Sequence, residues 1–354
     1  MAENEPKWYD IFVVLFGTIL SFADPITDTL TLVEFYRTDH KTWFGVGLIF
    51  IILPCLFFLF ANWNFESVSD EEGYVWMACK GTRVLVCGCN PLLPAWLKLR
   101  RLYVYLKRLL HPRQGNNTDQ TDKDLDELLW STKLAVLTEA ALESAPQFII
   151  QLHAMAVQQQ SVTIIQMVSL PVSFLSLAWG STVADEFLHI DEGELHYSFK
   201  DAVLLFVTHL FILSSRLFAV ALFTVSYTWW VTGVLIVHCT VITICDTVCQ
   251  CKGQSFGCIK AFLSVFFVCF HWLRDDLSTR IDDENTQNKK KHARRMRLVS
   301  NVLFVIENII MILLFYFSHF PHTWYSLPVT ICVCLFADLG AVIRLTHFFF
   351  LGKE

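Results

Sequence analysis

Glu139, Glu143, Gln147 and Gln151 recur at every fourth position inside one apolar stretch. On a helix this spacing lays them along one side, as a stripe that drifts slowly round the axis. The stripe rises roughly 18 Å at about 1.5 Å per residue, more than half of a hydrocarbon layer about 30 Å thick. Carboxylates and amides there can take protons, cations or the polar part of a ligand, but they cannot face lipid tails. A charge at mid-membrane costs on the order of 2.5–3.5 kcal/mol even on mild scales. Pro146 adds a second irregularity, because it leaves the Leu142 carbonyl without its helical partner.

Other ionisable groups lie in apolar segments. Asp10 and Asp28 are eighteen residues apart, five turns of a helix, so they share a face with Asp24 nearby. Toward the C-terminus the acids are Glu307, beside Asn308, and Asp338, and the bases are Arg216 and Arg344. Some of these are expected to be structural ion pairs or neutral acids. The intramembrane acids Asp24, Asp28, Glu139, Glu143, Glu307 and Asp338 nevertheless outnumber the two arginines, and the surplus points to a water-filled groove, a proton or cation site, or a path for polar head groups. Glu143 and Arg216 are expected to meet and brace that track. His209, His238 and His347 sit alone on apolar faces and read as packed or interfacial side chains. No phosphate loop, nucleophile elbow or HExxH occurs, so no catalytic residue, metal ligand or cofactor is assigned, and nothing points to nucleic acid.

The elements that must hold these groups are helices. The chain has 354 residues, 54% hydrophobic and 17% charged, against about 25% charged in soluble domains. The expected fold is an all-α polytopic membrane protein with about eight transmembrane helices. They run about Trp8–Tyr36, Trp43–Trp63, Leu128–Gln158, Val162–Phe187, Phe199–Val225, Trp229–Val248, Leu298–Phe317 and Trp324–Phe350. Two re-entrant or interfacial short elements are expected at 74–110 and 258–273, where charges, Gly and Pro interrupt the apolar pattern. The order of elements recurs, dividing the chain into pseudo-repeated halves at 1–198 and 199–354, with no residue-level self-match. Lys and Arg cluster after the second and sixth spans, which puts both termini in the cytosol. The run Lys289–Arg297 reads as a topology anchor that touches anionic lipids. No signal peptide is expected, and the first helix serves as the targeting signal. The pairs Cys87/Cys89 and Cys249/Cys251 are open between plain thiols, palmitoylation and metal binding.

The stretch Glu139-Ala-Ala-Leu-Glu143-Ser-Ala-Pro146-Gln147 closely resembles the E-x-x-L-E-[ST]-A-P-Q signature of the XK-related proteins. Asp24-Pro-Ile-Thr-Asp28, Arg216-Leu-Phe-Ala-Val-Ala-Leu-Phe and the ending from Leu327-Pro328 to Arg344-Leu resemble further motifs of that family. The resemblance implies eight spans with two half-helix elements and phospholipid scrambling at the plasma membrane: ATP-independent exchange between leaflets that exposes phosphatidylserine, often in apoptosis. It implies a polar track for head groups at Asp10, Asp24, Asp28, Glu139 and Glu143, with Arg216 as basic partner; Gln147 and Gln151 extend it along the stripe. Membrane phospholipids are then the partners, together with a partner membrane protein, a homodimer mate or a cytosolic lipid-transfer protein. A proton- or ion-coupled solute transporter and a non-transporting scaffold remain the alternatives. Where some members carry an acid before the signature, Ser131 stands here. Apoptotic members carry a caspase-cut tail, whereas only Leu351–Glu354 follows the last span. Caspase control is therefore expected in the loops, at Asp119, Asp122 or Asp282-Asp283; digestion with effector caspases should release no small C-terminal fragment on a gel.

Overall fold

The computed structural model describes residues 8–66, 92–110, 132, 135–158, 162–190, 199–249, 283–319 and 323–351. They form helices, and no strand occurs among them. In chain order these are α1 (Trp8–Arg37), α2 (Lys41–Glu66), α3 (Leu93–Leu110), a π turn at Ala140–Ser144 running into α4 (Ala145–Val157), α5 (Ile164–Ile190), α6 (Phe199–Ser226), α7 (Trp230–Cys249), α8 (Asp283–His319) and α9 (Ser326–Leu351). The segment 74–91, the element at 258–273 and residues Cys87, Cys89 and Cys251 lie outside the described residues, as do Asp119, Asp122 and Asp282.

Five of these helices are long and apolar enough to cross a bilayer, over Ile11–Arg37, Ile164–Val183, Ala202–Ser226, Leu298–His319 and Ser326–Thr346. α2 and α7 are apolar over shorter described stretches, Lys41–Phe57 and Trp230–Ile244. The chain is thus a multi-pass helical membrane protein. Of the expected eight spans, the third (Leu128–Gln158) is described only at 132 and 135–158, with the π turn inside it, and is not one of the five. α8 begins fifteen residues before the expected Leu298, at Asp283. Nothing between Asp283 and His319 is Gly or Pro, so the basic run simply continues the helix, and Asp283 and Glu284 suit its N-terminal dipole.

The chain divides into two compact units, Met1–Ile150 with Ser161–Ala184, and Gln151–Gln160 with Asp185–Glu354. In the first, α1 packs against α2 and α3. α1 is patterned inside out. Phe12, Phe16, Ile19, Ile26, Leu30 and Val33 are exposed, whereas Thr18, Ser21, Asp24, Asp28 and Thr31 are buried. In water that arrangement is unfavourable; in lipid the apolar face needs no cover, and the polar face must be met by protein. α3 is amphipathic and tucks Leu93 and Leu97 against Ala135, with Phe57 of α2 and Val104 completing the cluster. α1 ends in a left-handed turn. His40 N–H bonds back to the Phe35 carbonyl at 2.8 Å, and Asp39 takes φ 62°. This is a Schellman-type stop in which Asp replaces the usual Gly. Lys41, hydrogen-bonded to the Asp39 carboxylate at 2.9 Å, holds it below the ordinary carboxylate range.

In the second unit α6, α8 and α9 pack on one another and α7 leans on α6 and α8. α6 is the axis of this unit, with Leu205, Leu213, Leu217, Ala219 and Ala221 fully enclosed. α9 approaches it closely at Gly340, where a Cβ would lie 2.8 Å from Ile212 Cγ1 and 3.2 Å from the Ile212 backbone nitrogen. The backbone cannot yield as a side-chain tip can. Gly340→Val should therefore cost about 1–3 kcal/mol by overpacking, read as a lower Tm in detergent. Gly45→Ala, which meets nothing within 4 Å, should leave Tm unchanged or slightly raised.

Candidate functional site

Pro146 has no N–H to donate, and the structure absorbs this before the proline is reached. Ala140–Ser144 forms a π turn, and the Ala145 N–H bonds to the Ala140 carbonyl five residues back. The wider turn changes the angular step between Glu139 and Glu143, so the stripe does not follow the ideal helix that sequence spacing implies. π turns of this kind concentrate at functional sites.

Around this turn the first unit gathers carboxylates and hydroxyls. Asp24 on α1 accepts a hydrogen bond from Ser144 Oγ at 2.7 Å. One turn on, Asp28 accepts from Ser169 Oγ at 3.2 Å and Ser173 Oγ at 2.9 Å, both from α5. Glu139 and Glu143 are buried within electrostatic reach of Asp24 and Asp28. Oε1 of each glutamate has no hydrogen-bond partner among the described residues. Gln147 donates its Nε2 to the Gly47 carbonyl of α2 at 2.6 Å. Side-chain room at Gly47 is closed by Leu32 and Gln147. Gln151 is fully buried. Asp10 lies on α1, and its side chain is outside the described residues.

A cation enters this cluster from α3. Lys98 is buried, and its Nζ donates to Ser21 Oγ at 2.5 Å and to the Gly17 carbonyl at 3.2 Å. Glu139 is its strongest opposite charge, followed by Asp24. Sequence reasoning treated Lys98 as one of many basic residues in an interrupted element and missed it. It also missed Ser169 and Ser173. Their signal was available, since Ser169, Ser173 and Ser176 recur at i, i+4 and i+7 on an apolar helix, the same one-face spacing that marked the acids.

The second unit holds a different network. Arg216, fully buried on α6, donates from Nη1 to Glu307 Oε2 at 3.0 Å and to Asn308 Oδ1 at 3.1 Å, both on α8. Its guanidinium lies 4.9 Å over the Phe304 ring centroid. Asn308 Nδ2 donates to Ser215 Oγ at 3.0 Å. His238 of α7 sets Nδ1 at 2.9 and 2.8 Å from the two Glu307 oxygens. The expected pairing of Arg216 with Glu143 is thereby corrected, because its carboxylate is Glu307, within its own unit. His238 is likewise not an isolated packed histidine: it completes the Glu307 carboxylate. Arg344 is buried as expected. Asp338 is not, because its side chain is exposed on α9, where the helix turns toward the surroundings rather than toward α6 or α8. His209 is buried, and the side chain of His347 lies outside the described residues. No group of three or more His, Cys, Asp or Glu side chains that could hold a metal ion occurs among the described residues.

Fold and site together define a multi-pass helical membrane protein with acid-rich polar interiors. The family model described as XK-related protein matches residues 12–353, and the chain belongs to the XK-related family. Among curated relatives, XK-related protein 8 of Tetraodon nigroviridis is 24% identical over 224 residues, covering 61% of this chain. The match spans about half of that relative, 54% of its length.

The Arg216–Glu307 pair makes a direct prediction. Removing one member of a buried pair leaves an uncompensated charge and costs about 3–5 kcal/mol. Arg216→Leu and Glu307→Leu should each lower Tm in detergent sharply, and the double variant should lose much less than the sum. Simple additivity would mean that the two residues are not coupled.

Proposed function

We propose that this protein is a phospholipid scramblase, moving lipids such as phosphatidylserine between plasma-membrane leaflets without ATP, including during apoptosis, with both termini in the cytosol. The observation that carries the reading is the buried cluster of Asp24, Asp28, Glu139 and Glu143, with unpaired Oε1 atoms on both glutamates, inside helices whose outer faces are apolar. Such a cluster is costly in a bilayer unless polar cargo or water meets it. Family membership and a relative named XK-related protein 8 support the same reading. A second reading, a proton-coupled transporter, draws on Glu307 and His238, a carboxylate and an imidazole in direct contact at 2.8 Å.

Reconstituted in liposomes with fluorescent lipids, the full chain should let a membrane-impermeant reductant bleach both leaflets. Bleaching of the outer leaflet alone under every activating condition would exclude scrambling, and proton-driven solute uptake would then favour the second reading. Glu139→Gln should slow lipid exchange about tenfold, equivalent to about 1.4 kcal/mol on the barrier, with an unchanged elution profile. An unchanged rate would remove Glu139 from the path.

A further inference from the structure

Lys98 reveals what the polar interior of the first unit accepts. Its ammonium is buried, yet it faces groups drawn from two other elements. Ser21 Oγ and the Gly17 carbonyl belong to α1, and opposite charge comes from Glu139 before the π turn and from Asp24 on α1. A hydroxyl and a backbone carbonyl in contact with one nitrogen, with carboxylates within electrostatic reach, make a receptor for a primary ammonium, which has three N–H donors and one positive charge. The Gly17 carbonyl is held firmly in place, because α1 lies against α5 there: a Cβ on Gly17 would lie 2.5 Å from Trp179 Nε1.

Asp24, Asp28, Glu139 and Glu143 are all buried, Lys98 is within electrostatic reach of Glu139 and Asp24, and Glu139 Oε1 and Glu143 Oε1 have no hydrogen-bond partner among the described residues. Serine hydroxyls serve one oxygen each of Asp24 and Asp28, and Asp24 Oδ1 joins Oε1 of the two glutamates as an acceptor with no hydrogen-bond partner among the described residues. Lys98 is also delivered by α3, a helix not among those apolar enough to cross the bilayer. Its side chain therefore reaches the acids as a tether from an element of a different kind.

We propose that Ser21 Oγ, the Gly17 carbonyl and the carboxylates of Glu139 and Asp24 form a primary-ammonium site, filled by Lys98 as a tethered occupant and taken over by the primary ammonium of a ligand, with Glu139 Oε1 and Glu143 Oε1 as the acceptors through which the exchange passes. In the lipid case this deepens the scramblase reading and rests on it, because the ligand is then the amine of an ethanolamine or serine head group. A free aliphatic amine presents the same chemistry.

The test restores the missing atoms from solution. Lys98→Met keeps the stem but ends one atom short, at the position of the Lys98 Cε, so ammonium completes it. Lys98→Ala removes the stem, so n-propylammonium completes it. In detergent, each variant should have a lower Tm than wild type and should recover most of the loss in its matching ammonium salt. Wild type should not respond. Sodium chloride at equal ionic strength, and tetramethylammonium, which carries charge but no N–H, should not restore it. If neither variant recovers, or if tetramethylammonium and sodium restore as much, the site is refuted. If Lys98→Ala does not fold, Lys98→Met alone decides. These readouts require no transport, so they stand whether or not lipid crosses. The source of the ligand follows from Lys98→Met in nanodiscs. A higher Tm in phosphatidylethanolamine than in phosphatidylglycerol identifies the lipid amine, and a response only to dissolved ammonium identifies a free amine. In the scrambling assay, Lys98→Met should then speed amine-bearing lipids relative to phosphatidylglycerol; equal acceleration of both would reduce Lys98 to a simple latch between α3 and α1.

Discussion

Asp28 accepts hydrogen bonds from two serines of another helix because hydrocarbon offers it nothing else. Water would replace those hydroxyls at little net cost; lipid tails cannot. A hydrogen bond to a charged acceptor contributes about 1.5–3 kcal/mol, and an unmet one costs at least as much in desolvation. This single constraint orders the molecule. It forces the polar faces of α1 and α5 together and leaves Phe12, Phe16 and Ile19 facing outward without penalty. Helix association here is not driven by burying oil, since the surroundings are oil; it is driven by polar groups that have only protein to turn to.

The two units answer the constraint differently. In the second, Arg216 is fitted with Glu307, Asn308 and the face of Phe304, and Glu307 is shared with His238. The guanidinium and the carboxylate pair directly at 3.0 Å, the arrangement of a brace. In the first, the Lys98 ammonium is within electrostatic reach of Glu139 and Asp24, and oxygens of Asp24, Glu139 and Glu143 have no hydrogen-bond partner among the described residues. An interior with spare acceptors is a poor brace, but it is a good place for something to pass or to bind.

Much of this was legible in the sequence. Apolar runs located most of the helices because length and hydropathy are local properties. The acids stood out because each is expensive where it stands, so Asp24, Asp28, Glu139 and Glu143 could be named before their neighbours were known. Their partners could not be. Lys98 sits in a stretch rich in Lys and Arg, and nothing local distinguishes the one lysine that turns inward from those that remain outside. Arg216 was correctly seen as needing a carboxylate, but periodicity cannot choose between Glu143 and Glu307, which depends on which helices pack. His238 looked solitary for the same reason. Asp338 misled in the opposite direction: a charge in an apolar run implies shelter, yet in the structure it faces outward.

The π turn before Pro146 uncouples the length of this helix from its rotation. In an α-helix each residue turns the chain by about 100°, so every side chain downstream is fixed by counting. Here the turn at Ala140–Ser144 carries an extra residue, and the count no longer fixes direction. Deleting one residue within it would close the turn to an ordinary α turn and leave the side chains downstream near their present directions. Gln147 would still face the Gly47 carbonyl that it holds at 2.6 Å, while the stretch that carries Glu143 and Ser144 would be one residue shorter. The polar lining can therefore gain or lose one residue between Glu139 and Gln147 with the helix on either side held in place.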